Sequence, residues 1–81
     1  METHRAIPPS PAKFFGMHQL GPLIRRIRKA RGMTQTDLAM ETGTSQRFIS
    51  QVENGKDSAE IGKVLLLIRL LGFETQLVKI P

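Results

Sequence analysis

Ser45, Gln46, Arg47 and Gln51 are the residues of this 81-residue chain whose types and spacing could do chemistry. The first three stand together just after Gly43-Thr44, where a short helix would begin, and Gln51 falls a little over one helical turn further on. A guanidinium can donate two parallel hydrogen bonds to guanine, and a carboxamide can donate to and accept from the edge of adenine. That is chemistry for reading base edges in duplex DNA. Taken singly, each of these residues is what any exposed helix face carries. Grouped at a capped helix start behind a glycine turn, they form a site.

Positioning them takes helices on either side of that turn. A second helix is expected from about Gln35 to Glu41, with Thr34 as its cap. Asp37, three residues on, can bond back to the cap's own N–H, a shorter version of the usual capping box. Leu38 and Ala39 face the core, and the small Ala39 lets another helix approach. Gly43 supplies the turn, because glycine takes a positive φ at little steric cost. A third helix then starts with Ser45 as N-cap and runs to about Glu53, stopped by Asn54-Gly55. Phe48, Ile49 and Val52 form its apolar stripe, which leaves Gln46, Arg47, Ser50 and Gln51 outside. Two short helices joined by a glycine-containing turn form the helix-turn-helix signature.

The flanking helices supply the core. Leu20, Leu23, Ile24, Ile27 and Ala30 follow the spacing of one buried stripe and predict a first helix over about Gln19 to Ala30. Pro22 is tolerable there within the first turn, and Arg25, Arg26, Arg28 and Lys29 fill the other faces. Glu53 would be repelled by DNA and is expected to be structural, paired with an arginine of the first helix, Arg31 being one candidate. A fourth helix is expected over about Ser58 to Leu71. Its Ile61, Val64, Leu65, Leu67, Ile68, Leu70 and Leu71 exceed what one face needs, so a second chain should cover part of it.

After Gly72 the period changes. Phe73, Thr75, Leu77 and Lys79 alternate with Glu74, Gln76, Val78 and Ile80, which reads as a strand. A lone strand cannot satisfy its backbone groups. Its mate is either residues around Ala12 to Phe15 or the same strand of a second copy, and two-fold symmetry favours the second copy. Phe73, Thr75, Leu77 and Val78 are then the dimerisation residues. The chain divides into a Pro-rich, flexible arm (1–17), a helical domain (18–72) and the C-terminal strand (73–81). In the arm, Pro8, Pro9 and Pro11 oppose a regular helix, while Phe14 and Phe15 are expected to dock on the domain.

Composition narrows the function. The formal net charge is +5, and residues 3 to 31 carry seven cationic side chains and no acid. A polyanionic partner suits that asymmetry. Cysteine is absent, so no disulfide or thiolate metal site can form. His4 and His18 lie in or beside the arm with no carboxylate cluster, and the glycines make no phosphate-cradling loop, so no catalytic, metal or cofactor site is expected. Val64 to Leu71 is too short to span a membrane and is interrupted by Arg69. Without a signal peptide, a cytoplasmic protein is the expectation. A basic amphipathic helix over residues 20 to 31 could bind a membrane or a regulatory protein, but that leaves the Gly43 turn unexplained.

Arg28 to Gln35, then Asp37-Leu38-Ala39, Gly43-Thr44-Ser45, Ile49-Ser50 and Glu53-Asn54-Gly55-Lys56, resemble the phage-repressor (Cro and C1 type) helix-turn-helix domains over roughly Leu20 to Leu71. Gly62-Lys63-Val64-Leu65 and the strand after it resemble, more narrowly, the HipB-type antitoxins. The resemblance implies an all-α, lambda-repressor-like domain of four to five helices with a C-terminal β-strand paired across a homodimer. It implies DNA contact by Gln35, Thr44, Ser45, Gln46, Arg47, Ser50, Gln51, Asn54 and Lys56. Gln35 would clamp a phosphate at the start of its helix, Gln46, Arg47 and Gln51 would read bases, and Asn54 and Lys56 would hold phosphates. The expected partners are double-stranded DNA with a near-palindromic operator, a second copy, and a HipA-like kinase toxin whose operon the chain represses. The alternative is a stand-alone phage- or plasmid-type repressor.

Overall fold

The computed structural model describes residues 10–81, so most of the expected Pro-rich arm, His4 included, lies outside the described residues. Among the described residues there are four helices: α1 (Met17–Ala30), α2 (Gln35–Thr42), α3 (Gln46–Glu53) and α4 (Ile61–Leu70). None is long and apolar enough to cross a membrane.

The core is one cluster. Leu20, Ile24 and Ile27 of α1, Leu38 and Ala39 of α2, Ile49 and Val52 of α3, and Val64, Leu67 and Ile68 of α4 with Leu71 beyond it are buried together. Each helix contributes residues three or four apart, so each lays one stripe inward and leaves its polar face outside. Leu23 and Ala30, expected in the α1 stripe, sit at its margin and are only half-buried. Helix α3 packs against both α1 and α2, and α4 against α2. The backbones of α1 and α3 approach closely at Gly21 of α1, where an added Cβ would stand 2.4 Å from the Val52 carbonyl oxygen and 2.7 Å from that of Glu53. Any larger residue would push α3 away from α1.

Helix α1 begins two residues earlier than its apolar stripe predicts. Gly16 caps it, and its carbonyl accepts from Gln19 and Leu20. Pro22 therefore lies in the second turn rather than the first, and the bond its N–H would have made to the His18 carbonyl is missing. Helix α4 begins three residues later than expected. Residues 57–59 form turns, and Glu60 caps the helix by accepting the Gly62 N–H at 2.8 Å. The first residue of α4 buried in the core is Val64, four residues after Glu60.

Two expectations meet a different outcome at the ends. Phe14 packs against the core as predicted, but its neighbour Phe15 is 85% exposed. The strand expected over Phe73 to Ile80 does not form in the single chain: no ladder is present among the described residues, and none joins this segment to residues 12–15. A strand is defined by its partner's hydrogen bonds, and one chain supplies none here. Phe73 still packs on the core, while Leu77, Val78 and Ile80 are open.

Candidate nucleic-acid interface

The two-helix unit is fixed by local chemistry at both of its starts. Thr34 caps α2: its hydroxyl accepts the Asp37 N–H at 3.0 Å, and the Asp37 carboxylate accepts the Thr34 N–H at 2.8 Å. That exchange, through the Thr34 N–H first and its hydroxyl second, holds the Asp37 carboxyl below the usual aspartate range. Gly43 ends α2 at φ 68°, in the left-handed region that a side chain would resist. Thr44 continues the turn, its N–H donating to the Ala39 carbonyl at 2.9 Å. Ser45 then caps α3, its hydroxyl accepting the Phe48 N–H at 3.0 Å.

With α3 set in this way, Ile49, Val52 and Glu53 point inward and Ser45, Gln46 and Arg47 stand exposed at its N-terminus. Ser50 and Gln51 are half-buried beside them. Asn54 and Lys56 lie exposed in the turn after the helix, held by bonds from Gly55 N–H to the Val52 carbonyl and Lys56 N–H to the Gln51 carbonyl. The expected base-reading and phosphate-holding residues of α3 are thus brought to one helix and its two flanking turns.

Thr44 and Ser45 are differently placed to act. The Thr42 hydroxyl donates to the Leu38 carbonyl at 2.8 Å, so in its 2.8 Å contact with Thr44 it must accept. The Thr44 proton is therefore engaged within the chain. Ser45 only accepts, and its proton is free for an outside acceptor such as a phosphate oxygen.

Glu53 is structural, as its sign predicts, but its partner is Arg28 and not Arg31. Arg28 Nε donates to Glu53 Oε2 at 2.6 Å and Nη2 to Oε1 at 3.0 Å, a two-pronged pair with both side chains almost wholly buried. Arg28 Nη1 also donates to the Met33 carbonyl at 2.8 Å. The position explains the exchange: Arg28 is four residues from Ile24, on the inward stripe of α1, whereas Arg31 lies past the helix end and donates to the Leu70 carbonyl at 3.4 Å. Sequence reasoning set Arg28 on an outer face because its charge masked its place in the repeat.

The same carboxylate reaches α2. Gln35 Nε2 donates to Glu53 Oε1 at 3.0 Å, and Gln35 Oε1 accepts from Gln46 Nε2. A continuous polar chain therefore runs from Arg28 in the interior through Glu53 and Gln35 to Gln46 at the surface. Every buried side-chain nitrogen and oxygen among the described residues has a hydrogen-bond partner.

A second part of the surface exposes apolar side chains. Ile61, Leu65, Leu66 and Leu70 are exposed along α4. A groove of about 840 Å³ runs between residues 10–15 and the C-terminal segment, floored by Leu20, Ile24, Ile27, Ile68 and Leu71. Lys63 of α4 sits 5.7 Å above the Phe48 ring, tying the start of α4 to α3.

Comparison with known proteins agrees with this architecture. The helix-turn-helix family model matches residues 24–78. The chain is similar to the uncharacterized HTH-type transcriptional regulator y4mF of Sinorhizobium fredii, with 43% identity over 53 residues covering 65% of this chain and 70% of that one. It is similar to the ImmF control region 10 kDa protein of Bacillus phage phi105, with 33% identity over 55 residues covering 64% of this chain and 61% of that one. Among solved structures it matches HipB, in a HipB–O4 20mer complex and in a HipA–HipB–O2–O3 complex. Each match has a TM-score of 0.76 at 26% identity and covers 84% of this chain and 96% of the other.

Proposed function

This chain belongs to the helix-turn-helix family of DNA-binding transcription regulators, and on that premise we propose that it is a homodimeric, sequence-specific repressor and the antitoxin of a HipA-like kinase toxin. One observation carries the DNA-binding part: Gln46 and Arg47 stand exposed at the Ser45-capped start of α3, with Gln51 beside them. In this motif that end of the second helix enters the major groove. Arg47 reads a guanine and Gln46 or Gln51 an adenine. Gln35, Ser45, Asn54 and Lys56 contact the backbone on either side, and Thr44 and Ser50 lie within reach of it.

A single eight-residue reading helix gives weak specificity, and the exposed apolar residues of α4 and the C-terminal segment supply a reason to pair. Phe73, Thr75, Leu77 and Val78 form a strand with the same segment of a second copy, and the groove beside them closes. The two recognition helices then meet half-sites about 34 Å apart on a near-palindromic operator. The likeness to HipB in a complex with HipA supports the kinase partner. The relative from the phi105 control region supports a second reading, a stand-alone phage-type repressor.

Selection of bound sites from random duplex DNA tests both. Recovered palindromes support the dimeric repressor, and random recovery with no enriched sequence overturns it. Repeating the selection with the product of any adjacent kinase-like gene separates the two readings. A shift in affinity supports the antitoxin, and no binding of that product leaves the stand-alone repressor.

A further inference from the structure

We propose that His18, at the start of α1, is a third phosphate contact beside Asn54 and Lys56, so that the grip on DNA tightens when its imidazole takes up a proton. The proposal rests on the reading of the turn after α3 as a segment that holds the DNA backbone, and it adds to that turn a residue from another helix.

Two backbones meet at this point. Gly55 stands between Asn54 and Lys56, and a Cβ added to it would lie 2.9 Å from His18 Cα, 3.3 Å from the His18 nitrogen and 3.3 Å from the Met17 carbonyl oxygen. The turn therefore rests directly on the first residues of α1. Glycine is required there twice over, by that contact and by a φ of 82°. His18 thus shares one patch of surface with Asn54 and Lys56, and all three side chains are exposed.

The ring is placed but not engaged. A Cβ added to Gly16 would stand 3.1 Å from His18 Nδ1 and 3.2 Å from its Cε1, so the imidazole folds back over the start of its own helix. It forms no hydrogen bond or ion pair with another described residue. Of the segments that meet here, the turn carries Lys56 and Asp57, the stretch before α1 carries Lys13, and Arg25 stands seven residues on along the same helix face. Glu53 is buried and taken up by Arg28. Three cations against one exposed acid suit an anionic partner. A neutral imidazole donates one hydrogen bond to a phosphate oxygen, whereas a protonated one donates from both nitrogens and adds a charge. Histidine is the side-chain type that makes this change between pH 8 and 5, and lysine keeps its charge throughout. A phosphate favours the charged ring, so the complex takes up protons as it forms and grows tighter as pH falls.

The test uses the full chain in a His4→Gln background, which leaves His18 as the one histidine. Its affinity for a duplex recovered by selection from random DNA is measured against salt, at pH 8 and at about pH 5.5. This parent is expected to bind about tenfold more tightly per subunit at the lower pH, the scale of one charge-assisted contact. Its salt slope should steepen by about one per subunit. His18→Gln keeps a hydrogen-bond donor and cannot gain the charge, so both pH effects should vanish. Its urea midpoint and its order of preference among duplexes should match the parent's. A His18→Gln chain that keeps the parent's pH response overturns the proposal, as does a parent whose affinity ignores pH. A variant that loses stability with that response intact makes His18 a packing residue and overturns it as well. Lys56→Ala tests the reading beneath. A salt slope lower by about one per subunit supports the turn as a backbone contact. An unchanged slope takes the turn off the DNA, and the proposal with it.

Discussion

The α2–α3 half of the molecule and the half formed by α4 with the C-terminal segment are built to opposite standards of completeness. In the first, both helix starts are capped, the turn glycine is in the conformation it needs, and the inward polar groups are joined from Arg28 to Gln46. In the second, Leu65, Leu66, Leu70, Leu77, Val78 and Ile80 stand open and a segment of alternating apolar residues has no ladder. The difference teaches where each function resides. A surface that must fit DNA has to be rigid before it meets DNA, so its geometry is settled inside one chain. In the proposed dimer, the surface that fits another copy is settled only when that copy arrives.

The sharpest way to break this contrast is to unpair the buried charge. Glu53→Ala leaves the Arg28 guanidinium inside without a counter-ion, and the expected cost is about 3–5 kcal/mol of unfolding free energy. Urea denaturation measures it. A cost under about 1 kcal/mol would mean that the interior of the reading half is wetter and looser than its hydrogen bonds imply. Gly21→Ala attacks the same half by volume. A methyl group 2.4 Å from the Val52 carbonyl must displace α3, for about 1–3 kcal/mol of lost stability.

The open half should answer differently. Truncation after Gly72 removes Leu77, Val78 and Ile80 and, of the side chains packed on the core, Phe73 alone, so the single domain is expected to stay folded while the proposed dimer dissociates. Sedimentation with circular dichroism reads both quantities in one preparation. A truncated chain that still sediments as a dimer sinks the C-terminal interface and moves it onto α4. On DNA, Arg47→Ala is expected to cost about 1–3 kcal/mol of discrimination at one base position. Lys56→Ala should weaken binding on all sequences and lower the salt slope by about one. Equal effects on every sequence from Arg47→Ala would place that residue on the backbone.

How much of this was legible in the sequence follows the same division. Thr34 with Asp37, Gly43 and Ser45 signal caps and a turn that involve neighbours within three residues, and each does what its type predicts. The stripes of α1 and α3 were legible because a helix repeats its own buried face. Arg28 was not, because nothing local marks a buried arginine and its partner lies 25 residues away. The link from Glu53 to Gln35 is likewise invisible until α2 and α3 are placed side by side. The start of α4 was placed three residues early because nothing in the sequence before Glu60 marks residues 57–59 as turns. The strand expected from the alternation of residues 73–80 is absent from the single chain, because alternation specifies a strand only where a partner exists to pair with it. Among the candidate DNA-binding residues, type and exposure could be read off, whereas the engagement of the Thr44 hydroxyl by Thr42 could not.

The smallest expected effect comes from acid, and it tests how much of the reading half rests on its cap. The Asp37 carboxyl is held below the usual aspartate range by the Thr34 N–H and then by the Thr34 hydroxyl. Its folded pKa is therefore lower than its unfolded one, so the chain binds the proton less readily when folded. The stability this contributes is complete above the ordinary aspartate pKa and is lost as pH falls through the lower, folded value. Asp37→Asn removes the titration, so the variant should be less stable than wild type at neutral pH and equal to it in strong acid. Urea midpoints at a series of pH values measure the convergence. Because Asp37 is fully exposed, added salt should shrink the neutral-pH gap. A gap that persists unchanged into strong acid would assign the stabilisation to the shape of the side chain, with its charge contributing nothing. The α2 start would then be held by the neutral carboxyl as well as by the carboxylate, which the carboxamide does not match.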